Sequence, residues 1–413
     1  MKNKRVHANF LAEEYQEKLL KHPTWKLKLF VQDVEDTYGV KINRWQAVRA
    51  KKYALSACAK VVEKQYEFLR SYMHELKTSN VGTSVFLSLK PHISRSEPQF
   101  HMFYINFAAL RQGFLHECRK VLGLDGAFLK GYCKGELLSA TSRDANNQMF
   151  PIAWAIVETE SKESWSWFLK HLIEDLEMQD GKGWTLLSDQ QKGLLSFIPQ
   201  LLPKVEHRLC ARHIFTNWTK IIKGAPLHKL YWRAVKSYTQ IDFENAMKEL
   251  QKQSSKAYEE MCARNVKNFC RCFFKTWACT DVTCNNMAET FNSWILEARE
   301  KPILTMLEEI RRQVMSRMVD KKEQAAKCVS IVTPRVRLKL NDFRQAIRNW
   351  RLIEAKKDAY EVQHTHNINI SYAVRLDKKS CACRYWDLNG IPCEHATAAL
   401  CAKNETPENY VAC

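Results

Sequence analysis

Val121-Leu122-Gly123-Leu124-Asp125 is the first of five short apolar runs that decide the fold. The others are Glu136 to Thr141, Phe150 to Glu158, Trp184 to Asp189 and Val205 to Cys210, and helical patterns begin near Ser164, Lys192 and Ala211. Short apolar runs bounded by turn residues predict strands, so the order is β-β-β-α-β-α-β-α. Three strands without intervening helices pair by hairpins, whereas the later ones need crossover helices. The sequence therefore predicts an α/β domain with a mixed sheet.

The predicted strand order is also that of the ribonuclease H-like fold. Three acidic residues stand at positions where this fold could bring them together. Asp125 ends the first run and Asp189 ends the fourth, so the two should meet at one sheet edge. Glu289 begins a later helix that could pack back across the sheet and supply a third acid. Three hard oxygen ligands suit Mg²⁺ or Mn²⁺, and two such ions roughly 3.5–4 Å apart activate a water or a 3′-hydroxyl for attack on a phosphodiester. Taken singly, each acid also has an ordinary structural explanation. Asp125 could be a turn residue, Asp189 the N-cap of the following helix, and Glu289 a solvated acid in the first turn of its helix.

The charge of the chain points to nucleic acid. Its 413 residues include 64 Lys plus Arg against 45 Asp plus Glu, a formal charge of +19 that attracts a polyanion. The longest apolar run, Phe150 to Val157, is too short to cross a membrane, and no signal peptide follows Met1. The 15 cysteines are then expected to be buried thiols or metal ligands in a reducing compartment, the cytosol or the nucleus.

The flanking regions are predicted to be mainly helical. A helix from about Thr24 ends before Gly39, and Asn43 can cap a second helix that presents basic residues beside Trp45: Arg44, Arg49, Lys51 and Lys52. This pattern suits a helix-turn-helix-like unit on DNA, and an ordinary helical hairpin with a solvated basic face equally well. Residues 78–98 are predicted to be a linker with at most a short strand at Ser84 to Leu89. Residues 221–285 are predicted to be a helical insert, and basic helical sequence is expected to continue to about Ala359, including Arg335, Arg337, Lys339, Arg344, Arg348 and Arg351.

Close pairs of metal-ligating residues lie near the C-terminus, at Cys381, Cys383, Cys393 and His395. Three thiolates and an imidazole fill the four positions of tetrahedral zinc, so the site is predicted to be closed and structural. A second set, Cys270, Cys272, Cys279 and Cys284, has pairable spacing, but this stretch lacks the turn residues of the C-terminal one and buried thiols explain it better. Cys210 and His213 share one helix face and could hold part of a metal site, support a catalytic pocket, or be a buried thiol and a satisfied histidine.

The sequence resembles the Mutator-like element (MULE) transposases of plants from about residue 25 to 400. The segments that carry the resemblance are Leu124 to Lys130, Asp144-Ala145-Asn146-Asn147-Gln148, Pro151 to Ala155, Glu160 to Leu169 with Ser164-Trp165-Ser166-Trp167-Phe168, Ser188-Asp189 with Lys192-Gly193-Leu194, and Ala288-Glu289-Thr290-Phe291-Asn292. Cys210-Ala211-Arg212-His213 matches a Cys-x-x-His element of such transposases, and the C-terminal cysteines resemble the SWIM zinc finger that accompanies them.

The resemblance implies a DDE-type core whose metal-binding triad is Asp125, Asp189 and Glu289. The expected domains are a basic helical region at 1–95, the core at 96–300 with its insert at 221–285, a basic helical region at 301–360, and the zinc module at 361–413. The implied function is DNA transposition in the nucleus, acting on element terminal repeats and target DNA with structural Zn²⁺ and catalytic Mg²⁺ or Mn²⁺. The alternative is a domesticated, inactive regulator of the far-red-impaired type. Many relatives carry an upstream zinc-type domain that this sequence lacks, so a truncated copy of a transposase is a further expectation. The resemblance leaves open whether the chain forms a homo-oligomer.

Overall fold

The computed structural model describes residues 6–91 and 98–412. Its strands are β1 (Ser84–Lys90), β2 (Gln99–Asn106), β3 (Val121–Phe128), β4 (Glu136–Arg143), β5 (Met149–Val157), β6 (Thr185–Ser188), β7 (Glu206–Leu209), β8 (Trp350–Lys356), β9 (Ala359–His364), β10 (Asn367–Arg375) and β11 (Ser380–Cys381). Its α-helices are α1 (Ala8–Glu14), α2 (Gln16–Lys21), α3 (Leu27–Tyr38), α4 (Arg44–Glu67), α5 (Leu69–Ser79), α6 (Ala108–Glu117), α7 (Lys162–Asp175), α8 (Lys192–Leu201), α9 (Ala211–Ile221), α10 (Ala225–Lys236), α11 (Gln240–Gln253), α12 (Ser255–Cys262), α13 (Asn286–Trp294), α14 (Ile303–Ala326), α15 (Pro334–Ala346), α16 (Tyr385–Asn389) and α17 (Glu394–Ala402).

A seven-stranded mixed sheet forms the centre of the molecule, in the order β1-β2-β5-β4-β3-β6-β7. The strands β3, β4 and β5 pair antiparallel, whereas β3 with β6 and β6 with β7 pair parallel. The helices α7 and α8 provide the crossovers between β5, β6 and β7. From β3 to α9 the elements follow the β-β-β-α-β-α-β-α order that the five apolar runs predict, and the α/β class is confirmed.

The edge of the sheet formed by β1 and β2 differs from the prediction. The strand at Ser84–Lys90 was expected, but Gln99–Asn106 was not predicted to be a strand. All residues from Met102 to Asn106 are buried, so β2 shows no alternation of polar and apolar residues that would mark it as a strand. The central part of the predicted linker, residues 92–97, lies outside the described residues.

Helices cover both faces of the sheet. On one face α6, α7 and α8 contribute Phe114, Trp165 and Leu194 to the core. On the other face α13 and α14 pack Phe291 and Leu307 against Trp154 of β5. Because α13 contacts β3, β4 and β5, it crosses the middle of the sheet, as the late acidic helix was expected to do.

The helical insert is helical only as far as Cys262. From Ala263 to Asn285 the chain is irregular apart from two short 3₁₀ turns. The buried ion pair of Arg208 with Glu206 on β7, at 2.8 Å, fixes this irregular segment. Arg208 donates to the carbonyls of Lys275 and Thr280, and Glu206 accepts from the Lys275 amide. The segment is therefore held by side-chain hydrogen bonds, which hydrophobic periodicity does not predict.

The two predicted caps of the N-terminal helices are confirmed, although α3 begins at Leu27 and not at about Thr24. Gly39 caps α3 in the left-handed conformation at φ 64°, and Asn43 forms a capping box with Gln46 at the start of α4. The short helices α1 and α2, which were not predicted, pack on α4. Both α4 and α14 have 24 residues, but none of the helices in the described ranges is long and apolar enough to cross a bilayer.

The prediction of helix to about Ala359 is wrong at its end. Helix α15 ends at Ala346, and Trp350–Lys356 forms β8, the edge of a four-stranded sheet in the order β11-β10-β9-β8. Trp350 and Leu352 pack on the C-terminal core, whereas Arg351 and Ile353 are exposed. This period of two is typical of a half-buried strand. The basic residues nearby obscured this strand pattern in the sequence.

Candidate functional site

Asp125 and Asp189 lie side by side just beyond the paired part of two parallel strands, β3 and β6. The pairing of β3 with β6 sets Val121 opposite Thr185 and Gly123 opposite Leu187. Asp125 and Asp189 each stand two residues further along their chains, and both are half-buried. The sequence prediction that these two carboxylates meet at one sheet edge therefore agrees with the strand register.

Burial is the main cause of the shifted pKa values of both acids. Burial, together with the charge of Asp189, raises the pKa of Asp125 to about 7. Burial also raises the pKa of Asp189. Ionising both of two carboxylates that share a partly buried site costs free energy, and a bound cation would reduce the repulsion between them. The pair thus offers hard oxygen ligands in a place where positive charge is favoured.

His213 is the cationic group next to the two acids. Hydrogen bonding with Cys210 raises the pKa of His213 to about 9, and the charges of Asp189 and Asp125 act in the same direction. Hydrogen bonding with Cys284 and His213 lowers the pKa of Cys210 to about 4, against the effect of burial. Of the roles left open for Cys210 and His213, a place beside the acidic pocket matches their position.

Glu289 lies with Cys210 and His213, not with the two aspartates. One ligand atom from each of Cys210, His213 and Glu289 falls within 4.8 Å of the other two. Within residues 6–91 and 98–412, Asp125, Asp189 and Glu289 do not form such a group. Glu289 pairs instead with Arg212, whose guanidinium lies 2.9 Å from its carboxylate. The fold therefore brings the three predicted acids to neighbouring positions but not into one cluster. His213 lies between the aspartate pair and Glu289.

Asn285 fixes the start of α13 against β3. Its side-chain amide donates to the carbonyl of Leu124 at 2.8 Å, and its backbone N–H donates to the sulfur of Cys210 at 3.3 Å. Gly123 makes this approach possible, because a Cβ there would lie 2.2 Å from Asn285 Oδ1. The helix that carries Glu289 is thus anchored on the strand that carries Asp125.

Three further residues at the site were not identified from the sequence. Asn292 donates to Asp125 Oδ2 at 2.8 Å. The buried Arg299 donates to the carbonyls of Phe128 and Asn292, both at 2.8 Å. Glu160 accepts from the Trp165 indole at 2.8 Å, and its carboxylate covers Gly126 next to Asp125. Glu160 and Asn292 belong to segments that carried the resemblance, but nothing in the local pattern singles out Arg299.

The C-terminal ligands form a second and closed cluster. One ligand atom from each of Cys381, Cys383, Cys393 and His395 lies within 4.8 Å of all the others. The sulfurs of Cys381 and Cys393 are each 3.6 Å from His395 Nδ1. Cys393 is the N-cap of α17, so the first turn of that helix carries His395 back toward the thiols. Three sulfurs and one imidazole at these distances are the donor set of a structural zinc site.

The surroundings of this cluster fit a bound cation. Hydrogen bonding with Cys381 and Cys393 lowers the pKa of Cys383, whereas burial raises the pKa of Cys393. Without a metal the three thiols compete for one negative charge, whereas zinc stabilises three thiolates together. Trp350 and Tyr372 pack on the His395 ring with centroid distances of 4.3 and 4.2 Å. The ring is therefore held in the orientation that points Nδ1 at the sulfurs.

The second set of cysteines does not assemble into a metal site in the part of the chain that is described. Cys270, Cys272, Cys279 and Cys284 do not form a group of ligand atoms within 4.8 Å. Cys270 and Cys272 belong to the core of the insert, and burial raises the pKa of each thiol. Of the two interpretations, buried thiols explain these two residues.

The basic residues fall into exposed and engaged groups. Arg44, Arg49 and Lys52 on α4 are exposed, whereas Lys51 is half-buried and donates to the carbonyl of Trp25. On α15, Arg335 donates to Asn147 in the β4–β5 turn and Arg344 bonds to Glu408. A cavity of about 430 Å³ opens next to Cys284 and Asn286, and its lining includes four cations: Arg143, Arg212, Lys236 and Arg271. This cluster of cations beside the acidic site was not foreseen from the sequence.

Comparison with known protein families matches two parts of the chain. The family model of the MULE transposase domain matches residues 121–217, which include β3 to β7 with Asp125, Asp189, Cys210 and His213. The family model of the SWIM zinc finger matches residues 372–404, which contain the C-terminal ligand cluster. The search for similar curated proteins returns no match.

Proposed function

We propose that this chain, which carries a MULE transposase domain and a SWIM zinc finger, is a DNA transposase that cleaves and joins strands at the ends of a mobile element. The observation that carries the proposal is the pair formed by Asp125 and Asp189, with the pKa of Asp125 raised to about 7. In this proposal the core is ribonuclease H-like and extends over residues 96–300. Nuclear location is part of the same proposal, because the substrate is chromosomal DNA.

The proposed chemistry is phosphoryl transfer at the two aspartates. Mg²⁺ or Mn²⁺, when bound there, would activate the attacking oxygen and stabilise the leaving oxygen. Asp125 and Asp189 would hold the cation, and the amide of Asn292 fixes the orientation of Asp125. Glu289 is proposed as the third acid, and it would have to leave Arg212 to join the others.

The DNA is proposed to lie over the cationic cavity next to the site. Arg143, Lys236 and Arg271 would contact phosphates, which are the groups that position DNA without reading its sequence. Exposed Arg44, Arg49 and Lys52 on α4 would extend this surface in residues 1–95. The formal charge of +19 supports a strong salt dependence of binding.

A second function, that of a regulator that binds DNA without cutting it, is favoured by one observation. The contact of Glu289 with Arg212 leaves the third acid apart from the aspartate pair. A protein that had lost catalysis would have no need to release this contact. The zinc module and the basic surface would serve this function equally well.

Strand cleavage and strand transfer separate the two functions. The substrate is DNA with candidate terminal repeats, and the reactions contain Mg²⁺ or Mn²⁺ with either wild type or Asp189→Asn. A transposase is expected to give joined products that fall by a factor of about 10³ or more in the variant, because removal of a metal ligand removes the cation. Equal products from both proteins would show that cleavage does not depend on Asp189 and would contradict the proposed chemistry, and tight sequence-specific binding without any cleavage would favour the regulator.

A further inference from the structure

We infer that helix α10 of the insert binds single-stranded DNA, with one base stacked on Trp232 and phosphates held in the two cationic cavities that Trp232 lines. This inference rests on the proposed function, because it takes DNA as the ligand, and it names the form of DNA that this surface binds. The observation that carries it is that Trp232 and Lys236 each line both cavities. An aromatic ring thus lies between two groups of cations.

Two neighbouring cavities provide the binding surface. The first is the cavity of about 430 Å³ next to Cys284 and Asn286, and the second, beside α10 and α11, has a volume of about 660 Å³. The acids Asp242 and Asp281 line them, together with a larger number of cations: Arg143, Arg212, Lys229, Arg233, Lys236 and Arg271. This excess of positive charge suits a row of phosphates.

The sequence of α10 gives this helix one buried face and one cationic face. The buried residues pack in the core of the insert and are Leu230, Tyr231, Ala234 and Val235. Trp232 and Lys236 stand four residues apart, and so do Lys229 and Arg233, which is the spacing of side chains that share a helix face. These four side chains therefore form one stripe along α10.

Neighbouring side chains hold the Trp232 ring in place. Phe215 and Tyr231 pack on it with centroid distances of 5.2 and 5.4 Å, and Lys236 Nζ lies 5.6 Å from its centroid. The indole is half-buried, and part of its surface lines the two cavities. A fixed aromatic ring with free surface is a platform for stacking, which accepts any base because every base has a π-face.

Arg143 in the first cavity lacks a counter-charge. Its guanidinium donates to the side-chain oxygen of Asn147 at 2.7 Å, and it forms no ion pair among the described residues. Burial lowers the pKa of Arg143 against the effect of Asp281, and the charges of Arg119 and Arg335 lower it further. Because a guanidinium stays charged in proteins, this one is a half-buried positive charge near two others. A bound phosphate would supply the missing negative charge.

A single strand fits this surface better than a duplex does. In a duplex the bases stack on one another, so a base can reach Trp232 only after it leaves the helix. Cavities of about 430 and 660 Å³ have the size of small-ligand pockets, which admit a nucleotide but not a double helix. Arg212, the partner of Glu289, lines the first cavity. A strand freed by the proposed cleavage would therefore pass from the acidic site onto α10.

Fluorescence anisotropy of a labelled oligothymidylate tests the stacking, with the full chain in buffer without added divalent cations. An abasic oligonucleotide of the same length carries the same phosphates without bases and is the matched ligand. Wild type is expected to bind the oligothymidylate about tenfold more tightly than the abasic ligand, and Trp232→Leu to bind both alike. Trp232→Phe should keep part of the preference, because a phenyl ring also stacks. Equal binding of the two ligands by wild type would overturn the inference, and this comparison needs no variant.

Another exposed tryptophan and two other nucleic acids provide the controls. Trp45→Leu removes an exposed ring beside the basic residues of α4 and should keep the full preference. Duplex DNA should bind wild type and Trp232→Leu equally, because its bases are stacked on one another. A preference that survives Trp232→Leu, or that Trp45→Leu abolishes, would contradict the inference. Tighter binding of oligouridylate than of oligothymidylate would also contradict it, because the ligand would then be RNA.

The salt dependence of binding tests the phosphate contacts. For single strands, each phosphate contact contributes about 0.7 to the slope of log K against log salt concentration. Arg143→Gln should lower the slope by about this amount for both oligonucleotides. Lys252, exposed on α11, lines neither cavity, and Lys252→Gln should leave the slope unchanged. An equal slope in wild type and Arg143→Gln would overturn the placement of a phosphate in the first cavity.

Asp189→Asn distinguishes this inference from the proposed function. The variant is expected to lose strand cleavage and to keep the preference for oligothymidylate, because Asp189 lines neither cavity. If wild type never cleaves DNA but shows a preference that depends on Trp232, the proposed function fails and the single-strand site stands. Cleavage that depends on Asp189 without such a preference would leave the function intact and remove the inference.

Discussion

At the scale of single residues, the account depends on how Asp125 is held. Its carboxylate is largely buried, lies next to Asp189, and accepts a hydrogen bond from Asn292. Burial and like charge favour the protonated acid, whereas the amide of Asn292 and the imidazole of His213 favour the carboxylate. The balance leaves the pKa near 7, so this acid titrates in the physiological range.

The raised pKa of Asp125 predicts a stability that depends on pH. The unfolded carboxyl loses its proton near pH 4, whereas the folded one keeps it to about pH 7. Between these values the folded state binds more protons, so the free energy of unfolding decreases as the pH rises. Asp125→Asn should remove about 2–4 kcal/mol of this decrease. Urea unfolding at pH 5 and pH 8 without added Mg²⁺ measures it, and an equal pH dependence in both proteins would contradict the assignment.

Gly123 predicts a steric effect on α13. In Gly123→Ala the new Cβ would lie 2.2 Å from Asn285 Oδ1 and 3.0 Å from Met287, so the start of α13 must move. A loss of about 2 kcal/mol or more in the free energy of unfolding is expected, together with weaker metal binding. Gly113→Ala is the control, because its Cβ would make an ordinary contact of 3.5 Å with Phe150. Equal stability of both variants would show that α13 is not anchored in this way.

At the scale of elements, the hydrophobic pattern predicted the strands and helices from β3 to α9 because each strand lies between clear turn residues. It could not predict β2, where both faces are buried and no alternation remains. Nor could it predict the irregular segment 263–285, which the Arg208–Glu206 pair holds in place. The C-terminal zinc ligands were predicted in full, since their spacing is local. The place of Glu289 was not, because it depends on a contact with Arg212 across 77 residues.

At the same scale, Arg384 forms the contact between the zinc module and the insert. Its guanidinium donates to the carbonyls of Tyr238, Cys272 and Phe274. Arg384→Ala should free these carbonyls, which costs about 1–3 kcal/mol for each buried group left unpaired. Hydrogen exchange should rise at residues 270–276 while the zinc content stays unchanged. The exposed Lys378→Ala is the control, and equal exchange in both variants would contradict this role.

At the scale of the whole molecule, the sheet, the insert and the zinc module meet around one region. The two aspartates lie just beyond the paired part of β3 and β6, the cationic cavity opens beside Arg212, the partner of Glu289, and Arg384 joins the zinc module to the insert. The net charge of +19 favours the approach of a polyanion to the molecule as a whole. In the proposed function, this arrangement would bring a polyanion and a divalent cation to the same place, which is what phosphoryl transfer on DNA requires.

The central claim is that Asp125 and Asp189 bind one divalent cation together, and Mn²⁺ titration followed by electron paramagnetic resonance tests it most directly. The full-length protein is compared with Asp189→Asn and with Asp180→Asn, an acid on the surface that pairs with Lys204. The account predicts that Mn²⁺ binds wild type and Asp180→Asn alike, and binds Asp189→Asn at least about tenfold more weakly. Mn²⁺ binding of equal strength in all three proteins would contradict it.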